Sequence, residues 1–168
     1  MLPSHLINFV LYANDTDFKG VVNEVTLPEL GRQTEAHRGG GMVGPMDFDF
    51  GGEAMEASVK VAGFRPELLS TLGARSHDAA NLRFMGALSN NESEGVQSCE
   101  AVMRGRLKKY SPGSSKPGEP TEQEFSYGLS YYKLVIGGRT VVEIDQVNGV
   151  YIIDGVDREA EVRAAMGQ

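Results

Sequence analysis

A chain of 168 residues with 16 Lys plus Arg against 23 Asp plus Glu carries a formal charge of −7. That length suits one domain with a real core, and the acidic balance argues against a general nucleic-acid binder. The single cysteine, Cys99, excludes an intrachain disulfide and a multi-cysteine zinc site, and no stretch approaches the roughly 20 apolar residues of a membrane-spanning helix. Hydrophobic residues make up 40% and there are 21 glycines, which describes a folded chain rich in turns. The N-terminus lacks a basic flank followed by an apolar run, so a soluble protein made in the cytosol is expected.

Most periodic segments repeat every second residue, the period of a half-buried strand. Short strands are expected at Leu6 to Tyr12 and where Val21, Val25 and Leu27 alternate with Glu24 and Thr26. Pro28 to Ala54 then reads as a long connection holding Gly31, Gly39, Gly40, Gly41, Gly44, Gly51 and Gly52. Connections that long in a compact domain are functional, disordered or partner-bound. Met55, Ala57, Val59 and Val61 alternate with Glu56, Ser58 and Lys60 as a further strand. Pro66 opens a short amphipathic helix through Leu68, Leu69 and Leu72, and Gly73 ends it.

A strand is expected at Leu82 to Leu88, and another from Gln97 to Lys108, with Cys99, Ala101, Met103 and Leu107 on its apolar face. The segment Ser111 to Pro120, rich in Pro, Gly and Ser, reads as a solvated connection. From Glu122 to Tyr131 the large residues Phe125, Tyr127, Leu129 and Tyr131 alternate with Glu122, Glu124, Ser126, Gly128 and Ser130. The phase then shifts, because Tyr132, Leu134 and Ile136 continue the apolar face one residue out of step. A shift of that kind marks a bulge or a strand passing from one sheet to another. Gly137-Gly138 suits a two-residue hairpin turn before a strand at Val141 to Val147. Asp157 is a plausible N-cap for a C-terminal helix through Ala160, Val162 and Ala165 to Gly167. The whole reads as a mainly β chain, a sandwich or barrel with two short helices.

Residues that could carry chemistry are scattered. His5, His37 and His77 have no ligand spacing, and Gly39-Gly40-Gly41 leads into Met42-Val43-Gly44-Pro45 with no Lys and no helix opening, so it is not a phosphate loop. Glu143 and Asp145 alternate along a strand, where acids mark a solvated or partner-facing side more often than a catalytic pair. Cys99 lies on an apolar face and reads as an inert thiol. The cations Arg104, Arg106, Lys108 and Lys109 suit an acidic partner surface. Glu143 and Asp145 are among the acids that could meet them in a head-to-tail contact between copies, the kind that builds rings or filaments.

The ordered words Leu27-Pro28, Thr34-Glu35, Arg38-Gly39-Gly40-Gly41-Met42 and Glu53-Ala54-Met55-Glu56 resemble the first half of the major tail tube proteins of contractile-tailed phages and R-type bacteriocins. Met103-Arg104-Gly105-Arg106-Leu107-Lys108, Pro112-Gly113, Lys116 with Gly118-Glu119, Tyr131-Tyr132-Lys133-Leu134, Gly138-Arg139, Glu143-Ile144-Asp145, Val147-Asn148-Gly149-Val150 and Gly155-Val156-Asp157 are similar to the second half. The resemblance implies one domain over residues 1–168 with a β-sandwich or barrel-like tail tube fold, a short flanking helix and a short C-terminal helix. It also implies hexameric rings stacked into a hollow tube lined by a continuous β-barrel, inside a contractile sheath. Partners would be further copies of the chain, the sheath protein, a tape-measure protein in the lumen during assembly, and baseplate and tail terminator proteins. DNA would be transiting cargo in a phage, and ions in a bacteriocin. No enzyme activity, cofactor or metal is implied, and the particle would be assembled in the bacterial cytoplasm.

On that footing, the connection at about 28–54 becomes an arm towards the next ring, with Arg38, Met42, Met46 and Phe48 as its contacts. Glu122, Glu124, Ser126 and Ser130 become a lumen-facing row, small or acidic so that phosphates are not gripped. Arg104, Arg106 and Lys108 with Glu143 and Asp145 become charge contacts between subunits. A type VI secretion tube protein shares this fold and is the nearest alternative. A monomeric β-sandwich binding module is a second, although the chain has no Trp and shows no clustered aromatic platform. A β-barrel hydrolase working through Glu143 and Asp145 is a third.

Overall fold

Alternating segments become strands along the chain. The computed structural model describes residues 1–168. In chain order it holds β1 (His5–Ala13), β2 (Thr16–Asp17), β3 (Val22–Thr26), β4 (Arg32–His37), β5 (Met46–Gly52) and β6 (Met55–Ala62), then α1 (Pro66–Leu69) and β7 (Ala80–Ser89). There follow β8 (Gln97–Ser111), β9 (Glu122–Ile136), β10 (Arg139–Asp145), β11 (Val150–Ile153), β12 (Val156–Asp157) and α2 (Ala160–Ala165).

Two strands of 15 residues, β8 and β9, organise the rest. All pairings are antiparallel. Residues 131–136 of β9 lie between β8 and β10, within a sheet of order β12-β11-β10-β9-β8-β7-β1-β2. Residues 124–129 of β9 lie between β8 and β6, residues 122–123 pair with β6 alone, and β6 in turn pairs with β3. The long pair therefore belongs to two half-sheets. One has four strands: β3, β6, the first part of β9 and the last part of β8. The other is the longer, outer half.

The junction is the phase shift expected at Tyr131-Tyr132. Arg104 pairs with Tyr131 and Gly105 with Leu129, which leaves Ser130 as the extra residue of a bulge. The apolar side of β9 passes there from Leu129 to Tyr132, both buried. A bulge adds twist and bends a strand, so one continuous pair can serve two packed layers. Gly105 makes the crossing possible, since a Cβ there would lie 2.1 Å from the Gly128 carbonyl oxygen.

The apolar faces of the two halves meet in one core. Leu11, Leu82, Phe84, Met103 and Ile144 from the outer half pack with Val59, Val61, Leu107, Phe125 and Tyr127 from the four-stranded half, and Leu68 of α1 joins them. Cys99 is buried on its apolar face as expected, and burial pushes its thiol up and away from the reactive thiolate. Gly137 and Gly138, at φ +59 and +78, form the two-residue turn between β9 and β10, as two left-handed positions require.

Three local expectations are corrected. The segment 28–54 is not a plain connection: it holds the hairpin β4–β5, a separate two-stranded sheet. The α1 helix stops at Leu69, and the chain reaches Gly73 through turns. Asp157 is not the N-cap of α2. It belongs to β12, and Glu159 occupies the cap position without a side-chain cap bond. The Asp157 carboxylate instead accepts the Glu159 N–H and pairs with Arg163, whose guanidinium also donates to the Gly149 carbonyl oxygen at 2.7 Å. That contact holds Asp157 below the ordinary carboxylate range.

Candidate assembly interface

The β4–β5 hairpin forms an arm whose two faces differ. Along β5, Met46, Phe48 and Phe50 alternate with Asp47 and Asp49, and a strand sends successive side chains to opposite faces. The three apolar side chains remain 52%, 42% and 63% exposed. His37, across from Met46, stacks at a tilt against Phe48, with ring centroids 5.5 Å apart, and Glu35 stands directly across from Phe48 on the same face. Of the residues expected to make contacts, Met46 and Phe48 lie on this stripe, whereas Arg38 and Met42 lie in the tip turn. Met42 is folded back there, its sulfur accepting the Gly39 N–H at 3.1 Å. Phe50 completes the stripe and was absent from the expected set, although the spacing Met46, Phe48, Phe50 carries the signal.

The root of the arm is fixed. The Glu53 N–H donates to the Gly31 carbonyl oxygen at 3.0 Å, and the Gln146 side chain donates to the Glu53 carbonyl oxygen at 3.3 Å. Arg32 Nε donates to Asp49 Oδ2 at 2.8 Å, while its guanidinium lies 4.8 Å from the Tyr151 ring centroid. The hydrogen bond to Asp49 raises the Arg32 pKa and lowers that of Asp49.

The four-stranded half-sheet is open at both ends. β3 has a partner only on its β6 side, and residues 106–111 of β8 have one only in β9, since β7 reaches no further than Gly105. Its outer face carries Glu122, Glu124 and Ser126 of β9, paired across from Ala62, Lys60 and Ser58. Carboxylates are only part of this face. Lys60 Nζ is 3.2 Å from Glu24 and Lys108 Nζ is 3.1 Å from Glu56. Arg106 stands opposite Gly128 and Lys109 opposite Ser126, the second through a bulge between Leu107 and Lys109. Ser130 is set apart from the row, because its hydroxyl lies 3.0 Å from His77 Nδ1 at the junction bulge.

The remaining charges gather elsewhere. The Arg104 guanidinium lies 3.9 Å from the Tyr131 ring centroid, and the Tyr131 hydroxyl donates to Glu143 at 3.0 Å. Asp145 accepts the backbone N–H groups of Val147 and Asn148 at 3.1 Å and the Asn148 side chain at 2.7 Å, fastening the β10–β11 turn. Burial acts to raise its pKa, but these bonds to Asn148 and Val147 leave it lowered overall. Arg104 and Glu143 thus form one cluster within a single chain, on the other half-sheet from Arg106 and Lys108. No group of three or more His, Cys, Asp or Glu side chains could hold a metal ion, and no helix is long and apolar enough to cross a membrane.

Residues 3–167 match the family described as phage tail tube protein FII. The chain belongs to that family. It is 34% identical over 169 residues to the tail tube protein of Escherichia phage P2, covering 99% of this chain and 98% of that one. It is 36% identical over 156 residues to the major tail tube protein of Serratia phage KSP20, covering 92% and 90%. Solved structures with the same fold include the sheath/tube terminator of the extracellular contractile injection system PVC, with a TM-score of 0.58 at 12% identity over 81% of this chain and 97% of that one. The PVC sheath–tube complex gives 0.56 at 13% identity over 80% and 90%. The chain is therefore a tail tube protein, a structural subunit of a contractile tail or injection system.

Proposed function

We propose that this tail tube protein builds hexameric rings through the two open edges of its four-stranded half-sheet and stacks them through the β4–β5 arm. The open edges carry the reading. Unpaired strand edges invite further pairing, and closure into a barrel removes them altogether. Within the half-sheet every neighbour is antiparallel, so β3 and the last part of β8 run in opposite directions. Rotated copies can then join the β8 edge of one to the β3 edge of the next and keep the alternation unbroken. Four strands from each of six copies would close the wall of a lumen.

In this arrangement Glu122, Glu124 and Ser126 face the lumen, with Ser130 at its rim. Arg106 and Lys108 approach the Glu24 edge of the neighbouring copy, and Arg104 with Glu143 and Asp145 sits on the outer half-sheet, available to an adjacent subunit. Met46 and Phe48, with Phe50, cover apolar surface on a copy in the next ring, and Arg38 and Met42 at the arm tip meet the same copy. The tube would sit in a contractile sheath, hold a tape-measure protein while it is built, end on baseplate and terminator proteins, and pass DNA without chemistry of its own. Support for the sheath, terminator and baseplate partners is the shared fold with chains from a sheath–tube complex, a sheath/tube terminator and a baseplate of contractile injection systems. Assembly of the particle would take place in the bacterial cytoplasm.

Negative-stain microscopy of the purified chain beside Phe48→Asp tests the reading. Wild type should give rings and tubes, and the variant rings that do not stack. A strictly monomeric wild type at high concentration would overturn it, as would normal tubes from the variant.

A further inference from the structure

The arm is oriented against ordinary amphipathic behaviour. A two-stranded ribbon with one apolar face lowers its free energy by laying that face on its own domain, since a lone hairpin is marginally stable in water. Here the face tied to the domain is the one that carries Asp47 and Asp49, with Ala36 and Thr34 across from them, while Met46 and Phe48 share the outward face with His37 and Glu35. Asp49 lies on the face opposite Phe48 and Phe50, and Arg32 holds it at 2.8 Å. The same guanidinium stacks over Tyr151 of β11 at 4.8 Å and reaches to 3.8 Å of Glu159, just before α2. Gly52, on the root of β5, stands beside Gln146 and Tyr151, each 3.7 Å from where its Cβ would be, which is ordinary contact distance.

We propose that Arg32 is the positioning residue of the arm: by binding Asp49 on one side and Tyr151 with Glu159 on the other, it fixes the apolar stripe outward, towards a second copy of this chain. The inference rests on the stacking reading above for its consequence, but its local content stands on the arm alone. A guanidinium suits the task because its planar fork stacks on an aromatic ring while serving two carboxylates, which an ammonium does not match. Loss of Arg32 removes no core side chain, and the one core-packed residue it touches is Tyr151 of β11.

Hydrogen exchange and microscopy on wild type, Arg32→Ala, Arg32→Lys and Asp49→Asn separate the possibilities. In dilute protein, Arg32→Ala should speed exchange of the β4 and β5 amides about tenfold or more and leave β8 and β9 unchanged, a loss on the order of 1.4 kcal/mol local to the arm. At assembling concentration it should still form rings and give tubes several-fold shorter. Arg32→Lys should fall between, because it keeps the charge beside Asp49 and loses the stack. Asp49→Asn, at an exposed site, should loosen the arm without touching the fold and decides the matter if Arg32→Ala disturbs the sandwich. Arm exchange and tube length equal to wild type in both Arg32→Ala and Asp49→Asn would overturn the proposal. Wild type that makes no tubes would defeat the stacking reading instead, and the exchange result would still decide whether Arg32 sets the arm.

Discussion

Gly105 is where the two long strands cross from one half-sheet to the other, and Gly105→Ala is the most direct test of that geometry. A Cβ there would stand 2.1 Å from the Gly128 carbonyl oxygen, 2.8 Å from Leu129 Cα and 2.9 Å from the Gly128 carbonyl carbon. All three are backbone atoms, so no rotamer change relieves the clash. A carbon–oxygen contact becomes comfortable at about 3.3 Å, so β9 must retreat by roughly 1 Å. That displacement overpacks the core by about 1–3 kcal/mol and weakens ladder hydrogen bonds worth about 1 kcal/mol each, for a total of roughly 3–5 kcal/mol. In a domain of this size the melting temperature should fall by about 10 °C. The control is Gly128→Ala on the facing strand, whose new Cβ would meet only Lys108 Cδ at 4.0 Å and should change stability by less than about 0.5 kcal/mol. Thermal melts of the dissociated subunits compare the two. Equal melting points for the variants, or a Gly105→Ala shift under about 2 °C, would show that the crossing does not depend on the missing side chain.

Three further outcomes follow from buried or paired groups. Gln123 is 1% exposed with neither amide atom hydrogen-bonded, so Gln123→Met should stabilise the fold by about 1 kcal/mol in urea titration, and a loss would show that the amide has a partner. Burial pushes the Tyr127 phenol up strongly and that of Tyr132 up to about 12. The unfolded phenols ionise near 10, so this contribution to stability is whole below that pH and falls as pH rises towards 12. Difference absorbance should show these two of the six tyrosines ionising only with unfolding, and six titrating together in an intact fold would refute the burial argument. Glu56→Gln should cost under about 1 kcal/mol, because its pair with Lys108 is exposed on both sides. It should also strengthen retention on immobilised DNA at low salt, and unchanged retention would mean Lys108 was never neutralised.

Strands were legible wherever one face is buried. In β6, β8 and β9 the period-2 pattern follows burial almost residue by residue, and even the bulge at Ser130 announced itself, because slipping the register by one moves the apolar set to the wrong face. The arm was not legible for the same physical reason in reverse. Met46, Phe48 and Phe50 alternate correctly, but they face solvent in the single chain, and the glycines around them spoke louder than the alternation. Asp157 misled because a carboxylate beside a helix start can cap it or can brace it from the preceding strand, and here Arg163 draws it into the second role. The role of Arg32 could not be found from the sequence, since Asp49 meets it only across the β4–β5 register, and Tyr151 and Glu159 only after β11 has folded beside the arm root.

The charge of the proposed lumen wall is the point at which composition alone would lead astray. An acidic chain invites the picture of a repulsive channel, and the row Glu122, Glu124, Ser126 supports it when one strand is read by itself. The neighbouring strands alter it. Glu24, Glu56, Glu122 and Glu124 share the face with Lys60, Arg106, Lys108 and Lys109, and two of those cations sit 3.1–3.2 Å from carboxylates. Four carboxylates and four cations thus share the face, and Glu29 and Glu53 stand beside Glu56 and Glu124 at one end of it, so part of the chain's acidic excess gathers there. A cation already neutralised by a carboxylate releases few counterions when a phosphate passes, and counterion release is what drives non-specific binding of DNA. Balanced cross-strand pairs give DNA little to bind and little to be repelled by. That is a physical basis for sliding that repulsion alone lacks, since strong repulsion would also oppose entry.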